Sequence, residues 1–243
     1  MRSGLLCGRE HRILGGFSCV AEGQVAIALS MGGAAKVYDH KDPNEDVAAF
    51  AIGAGGALAV VADGHHGHTA AEIAVVELLR VAAPAWTVPG PLDLRRSWQS
   101  EASGTLYDLN MAIVESALDG IPNEARTTLA MVLVRPADGL LAYASMGDSH
   151  IFHVGELEVV DLAFDAKRRT HYLGSGSETQ QSLQERCVAD CEHLAGTRAL
   201  ILATDGFSET SIGVEHPEAA VIEAYRQATG SRRVCDRSKP RAP

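Results

Sequence analysis

The 243-residue chain is short of long apolar runs, of positive charge and of linker composition. No apolar stretch approaches the length of a membrane span. The opening MRSGLLCGREHRILGG is broken by charges where a secretory signal needs a continuous apolar core. Lys and Arg number 21 against 31 Asp and Glu, a net charge of −10, which argues against nonspecific binding to nucleic acid or anionic membranes. Cysteines are few, odd in number and scattered, five in all, which fits a reducing compartment. Cys187 and Cys191 have no second pair with which to complete a zinc site and read as core thiols. No Pro- or Ser-rich linker divides the chain. At 46% apolar and 21% charged residues it is long enough for one substantial core. These absences leave one cytoplasmic globular domain as the expectation.

What is present centres on Ala57 to Leu79, ALAVVADGHHGHTAAEIAVVELL. The apolar run Ala57 to Ala62 reads as a strand buried on both faces. Asp63-Gly64 ends it, a turn with His65, His66 and His68 follows, and a helix begins. Thr69 and Glu72 have capping-box spacing with Thr69 as N-cap, and Pro84 is expected to stop the helix. Before this unit, Asp46 starts a second apolar run to Ile52, joined by Gly53-Ala54-Gly55-Gly56, a link of hairpin length. Symmetric closure sets Asp46 opposite Asp63, with Cβ atoms roughly 4.5–5.5 Å apart. Two carboxylates so placed repel unless a proton or a cation lies between them, and a divalent metal is the simplest solution.

Elsewhere, Gln24 to Met31 reads as the first strand and Leu94 to Leu118 as a second helix with Gly104 in its interior. Thr128–Arg135, Leu140–Ser145, Ile151–Val154 and Leu157–Leu162 read as an antiparallel meander. Asp165 to Glu185 reads as a polar loop or flap. Arg186–Cys191 and Ala199–Thr204 are further strands, and Glu215–Ala228 is a last helix with Ala219, Ile222 and Tyr225 on one face. The segment ALILATDGF echoes ALAVVADGH, so Asp63, Asp148 and Asp205 all stand at strand ends. Carboxylates at such positions suit Mg²⁺ or Mn²⁺ rather than zinc.

The ordered set Asn44-Glu45-Asp46, Asp63-Gly64-His65, Thr127-Thr128, Gly147-Asp148-Ser149 and Thr204-Asp205-Gly206 resembles the PP2C-type (PPM) metal-dependent protein serine/threonine phosphatases, over roughly Gln24 to Ala228. The resemblance implies an α+β fold, a four-layer αββα sandwich of two antiparallel sheets flanked by helices. It also implies two Mg²⁺ or Mn²⁺ ions, with a third held more weakly, at one edge of the sandwich. Carried over, Asp63 bridges the two metals, the Gly64 carbonyl binds one and Asp205 the other. Glu45 and Asp46 match an early acidic pair, and Asp148 matches an additional metal position. His65 matches a general acid that protonates the departing serine or threonine oxygen, after attack by a metal-activated water. Lys41 falls where members often carry a phosphate-binding arginine. The implied partner is a phosphorylated protein, opposing a serine/threonine kinase. His66, His68, His150 and His153 read as polar loop or strand residues, not ligands.

One departure stands out. Members of the family follow the last helix with a strand that begins Asp-Asn, whereas here Thr229-Gly230-Ser231 leads into RRVCDRSKPRAP. The expectation is a phosphatase domain over 1–231 with its C-terminal strand missing. Residues 232–243 then form an irregular basic tail, the mark of a truncated or frame-shifted end, and activity is reduced. Two alternatives remain open: a non-enzymatic phosphatase fold that binds phosphoproteins or regulates a kinase pathway, and a zinc hydrolase using His65, His66 and His68.

Overall fold

The computed structural model describes residues 1–32, 44–90, 94–116, 124–164, 171–209 and 213–236. The chain begins with three strands, β1 (Arg2–Cys7), β2 (Phe17–Glu22) and β3 (Val25–Ser30). The first strand therefore lies far ahead of Gln24. Charges that disguise this region, Arg9, Glu10 and Arg12, fall in the connection between β1 and β2. Next come β4 (Asp46–Ile52) and β5 (Ala57–His65), closed by Gly53 N–H donating to Gly56 O at 2.9 Å. Their register sets Asp46 opposite Asp63, as the glycine link requires.

Helix α1 (Thr69–Trp86) departs from expectation at both ends. Its N-cap is His68, no side chain caps it, and Thr69 is the first helical residue. Glu72, the expected capping partner, instead faces Arg9 at 3.1 Å. Pro84 lies inside the helix rather than after it. The buried Arg135 takes up the last helical carbonyl, Trp86 O (2.6 Å), and two carbonyls of the segment that follows, Val88 O (3.0 Å) and Gly90 O (2.5 Å). Helix α2 (Leu94–Ser116) buries Trp98, Leu106, Leu109 and Ile113; Leu118 lies outside the described residues.

The remaining elements are β6 (Arg126–Thr127), β7 (Leu129–Arg135), β8 (Leu140–Met146), β9 (His150–Val154), β10 (Val159–Asp161), α3 (Gln180–Arg186), β11 (Val188–His193), β12 (Ala199–Ala203) and α4 (Pro217–Asp236). The expected polar loop contains α3, whose box pairs Thr179 with Ser182. Helix α4 runs from Pro217 to Asp236, past the expected end at Ala228, and turns Val221, Ile222 and Tyr225 inward while Ala219 is exposed. The meander is interrupted: after β8 the chain changes layer, so β9 pairs with β10 and β12 instead of β8.

Two antiparallel layers result. The first is seven-stranded, ordered β1-β4-β5-β7-β8-β11 with β6 paired to β5. One face of β5 packs Leu58, Val60 and Ala62 with residues of α1 and α2; the other turns Ala59 and Val61 toward the second layer. The second layer is divided into β10-β9-β12, with α4 against it, and the pair β2-β3. No strand follows α4 among the described residues. A cleft of about 350 Å³ lies between β3 and β12, with Val61 of β5 in its lining. With helices outside both layers, the architecture is the expected αββα sandwich.

Candidate metal and catalytic site

The mouth of that cleft carries Asp46, Asp63 and Asp205. Asp63 is fixed through its peptide group. Its N–H donates to Thr128 Oγ1 (2.9 Å), and its carbonyl accepts from Thr127 Oγ1 (2.9 Å) and Thr128 N (2.9 Å). Thr128 Oγ1 also bonds Ser149 Oγ at 2.8 Å. Gly147, at φ +100°, lets the turn before Ser149 pass close to Thr128: a Cβ there would lie 2.7 Å from Thr128 Cγ2. Both threonines are fully buried. The sequence assigns Thr127-Thr128 no role of its own; its one signal is a hydroxyl pair between β6 and β7, beside an acid-bearing strand end.

Asp46 is held from two sides. Its N–H donates to Asn44 Oδ1 (3.2 Å), and its Oδ2 accepts from Thr204 Oγ1 (3.0 Å). Asp205 begins a short 3₁₀ turn, Asp205–Phe207, beyond β12. Gly64 fills a place without room for a side chain, since a Cβ would stand 2.7 Å from Gly67 O and 2.9 Å from Glu45 O. Its N–H donates to Glu45 O at 3.2 Å, and Glu45 itself is buried.

The three aspartates crowd one another. Burial, then the Asp46 and Asp205 carboxylates, and then hydrogen bonds to both push the Asp63 carboxyl up to about 10. Among the described residues no group of three or more His, Cys, Asp or Glu is arranged as a ready-made metal cage, and the zinc set His65, His66 and His68 forms none. The three carboxylates instead line one cleft, with Asp46 and Asp205 disfavouring the charge on Asp63. Their donor set is oxygen only and dense in negative charge, which fits a hard divalent cation such as Mg²⁺ or Mn²⁺.

His65 ends β5 two residues after Asp63. Its Nε2 is buried without a hydrogen-bond partner among the described residues, and Tyr172 meets its ring edge-on at 4.5 Å. A buried polar atom left unmatched is costly in a folded protein and is a mark of functional groups. His66 is exposed at φ +64°. Asp148 is half-buried in the turn after β8 and does not line the cleft. Lys41 lies outside the described residues.

His150 opens strand β9, a strand residue as expected, and it is tied on both sides. It is 6% exposed; its Nδ1 lies 2.7 Å from Asp161 Oδ2 and its Nε2 lies 2.6 Å from Ser208 Oγ. Burial raises the Asp161 carboxyl, but bonds from His150 and the Ile151 and Ala163 amides outweigh it and hold the group below the usual carboxylate range.

The comparisons with known proteins bear on the fold and the family. The family model for protein phosphatase 2C matches residues 35–236. No curated protein matches the chain by sequence. Among solved structures it is similar to a serine/threonine phosphatase of Staphylococcus aureus (17% identity, 82% of this chain and 80% of that one, TM-score 0.54). It is similar also to a serine/threonine phosphatase of S. agalactiae (16%, 76% and 81%, 0.55) and a serine-threonine phosphatase 2C of Toxoplasma gondii (15%, 77% and 80%, 0.57). At these identities the structures speak for the fold, and the family match spans most of the chain. With paired acids at the end of a central hairpin and a third acid after an echoing strand, this chain belongs to the protein phosphatase 2C family.

Proposed function

We propose that this chain hydrolyses phosphoserine and phosphothreonine in proteins, using Mg²⁺ or Mn²⁺ held by Asp46, Asp63, the Gly64 carbonyl and Asp205, with Glu45 and Asp148 at its margins. The observation that carries the reading is Asp63, buried beside the Asp46 and Asp205 carboxylates in a cleft between the layers. Bound there, divalent cations supply Lewis acidity toward phosphoryl oxygens and lower the pKa of water. The chain's own residues do the rest. Thr127 and Thr128 fix the Asp63 peptide, so its carboxylate need not reorganise. His65, whose Nε2 has no other partner among the described residues, donates a proton to the departing alkoxide. Lys41 supplies positive charge to the phosphate as a point charge, not as a bidentate fork. The partners are phosphoproteins in the cytoplasm that a serine/threonine kinase has modified.

The test is hydrolysis of a phosphoserine peptide and of an aryl phosphate against Mn²⁺ concentration. The parent should turn over both. Asp63→Ala should abolish turnover of both while the protein stays folded. His65→Ala should slow the peptide by about 10²-fold and the aryl phosphate much less, because an aryl oxide leaves without a proton. Equal losses on the two substrates would make His65 structural. A parent that binds phosphopeptide without turnover at any Mn²⁺ concentration would favour the non-enzymatic reading, which the divided second layer supports.

A further inference from the structure

Asp205 begins the turn after β12 of the divided layer, yet it lines the same cleft as Asp63 of the closed layer. Its turn is closed locally, with Ser208 N and Glu209 N both donating to Asp205 O (2.7 and 2.6 Å). A buried chain of hydrogen bonds ties that turn to the sheet. Asp161, at the end of β10, accepts the Ile151 N–H (3.0 Å) and the Ala163 N–H (3.1 Å) on Oδ1, which leaves Oδ2 for His150 Nδ1. A carboxylate only accepts, so Nδ1 carries a proton toward Asp161, while Nε2 shares a hydrogen bond with the Ser208 hydroxyl (2.6 Å), which itself lies 3.4 Å from Asp205 O. The ring also stacks on Phe152 at 5.0 Å, and Phe152 meets Phe207 edge-on at 5.9 Å. Phe207 and Ser208, the residues that end the Asp205 turn, thus both rest on β9.

The connectivity Ser208–His150–Asp161 is that of a hydrolytic triad, but Ser208 does not line the acidic cleft while its neighbours Phe207 and Glu209 do. The serine is therefore an anchor, not a nucleophile. We propose that His150 is a positioning residue: through Ser208 it holds the Asp205 turn so that the Asp205 carboxylate faces Asp63. This rests on the reading of Asp205 as a metal ligand.

The experiment uses the full chain and four variants: Ser208→Ala, His150→Ala, the conservative Ser208→Thr, and His153→Ala. The last removes a bond of the same kind, from His153 Nε2 to Thr197 Oγ1 (2.9 Å), at the other end of β9. Amide hydrogen exchange and calorimetric Mn²⁺ affinity are read together. Ser208→Ala and His150→Ala should speed exchange at the two backbone amides that close the Asp205 turn, while the β12 amides keep their protection. They should also weaken Mn²⁺ binding about tenfold, the scale expected when a ligand loses its orienting partner. Ser208→Thr should restore both, and His153→Ala should change neither. Unchanged exchange in both lesions, or equal loosening in His153→Ala, overturns the positioning role. A parent that binds no Mn²⁺ overturns instead the reading of the three aspartates as a metal site.

Discussion

Two segments of nearly the same sequence, ALAVVADGH and ALILATDGF, meet different fates. In the first, β5 lies between β4 and β7, and Leu58, Val60 and Ala62 are buried. In the second, β12 pairs only with β9, and every residue from Ala199 to Ala203 is half-buried. Apolarity is the same, so the difference comes from neighbours: a strand flanked on one side leaves its edge and part of both faces open. The consequence reaches the site. Asp63 is positioned by a closed ladder and two buried threonines. Asp205 is positioned by a side-chain relay beyond a half-open strand.

The largest expected effect contrasts the two strands directly. Leu58→Ala leaves a cavity in a closed layer and should cost about 3–5 kcal/mol, whereas Leu202→Ala removes atoms that are already half exposed and should cost about 1–2 kcal/mol. Urea unfolding of the two variants measures both. Equal losses would mean that the second layer is as tightly built as the first, and the contrast would collapse.

The closed layer is the part that could be read in the sequence. The hairpin register followed from a four-residue glycine link and two uninterrupted apolar runs, and it brought Asp46 to Asp63. The layer change after β8 was not legible, because Met146 to Ser149 reads as a turn whichever sheet receives the next strand. Helix α3 hid in polar composition, since seven residues with one buried leucine carry little periodicity. His150 and Asp161 were missed for a different reason. Ser208, the second partner of His150, is 58 residues away, and no local pattern signals a contact that only the folded layer creates.

The next effect is a pH dependence with opposite signs in the two regions. Asp63 sits in the closed layer with its folded value raised to about 10 from 3.8, so the folded state holds its proton more tightly than the unfolded chain. That contribution is full below the unfolded value near 4 and is lost as pH rises toward 10. Metal-free protein should therefore lose stability between pH 5 and pH 9 as read from melting temperature, a range set roughly by the two values above. Asp63→Asn should flatten that decline. Asp161, in the second layer, has a lowered folded value. Its contribution is present above the unfolded value and is lost as pH falls through the folded one. Asp161→Asn should leave the alkaline decline of the parent intact and reduce its loss of stability in acid. An unchanged alkaline slope in Asp63→Asn would show that the three carboxylates do not share a proton.

The smallest effect tests the link between the strand and its helix. β5 passes into α1 through His66 and Gly67, both with positive φ, +64° and +116°. Glycine adopts such angles freely, but at His66 the Cβ crowds the following carbonyl, at a cost of roughly 1–2 kcal/mol. Glycine also gains more freedom in the unfolded chain, which takes back part of the relief. His66→Gly should therefore stabilise the protein by about 0.5–1 kcal/mol. His66→Val should destabilise it by more than that, since a β-branched residue fits this region worst. The imidazole is exposed, so little packing is lost in either variant. The corresponding turn of the second layer, Asp205–Phe207, has no residue at positive φ and offers no such gain. Denaturant midpoints at fixed pH decide the matter. A loss of stability in His66→Gly would mean that the imidazole is held in place, and that strain at the end of β5 is maintained by a contact and not merely tolerated.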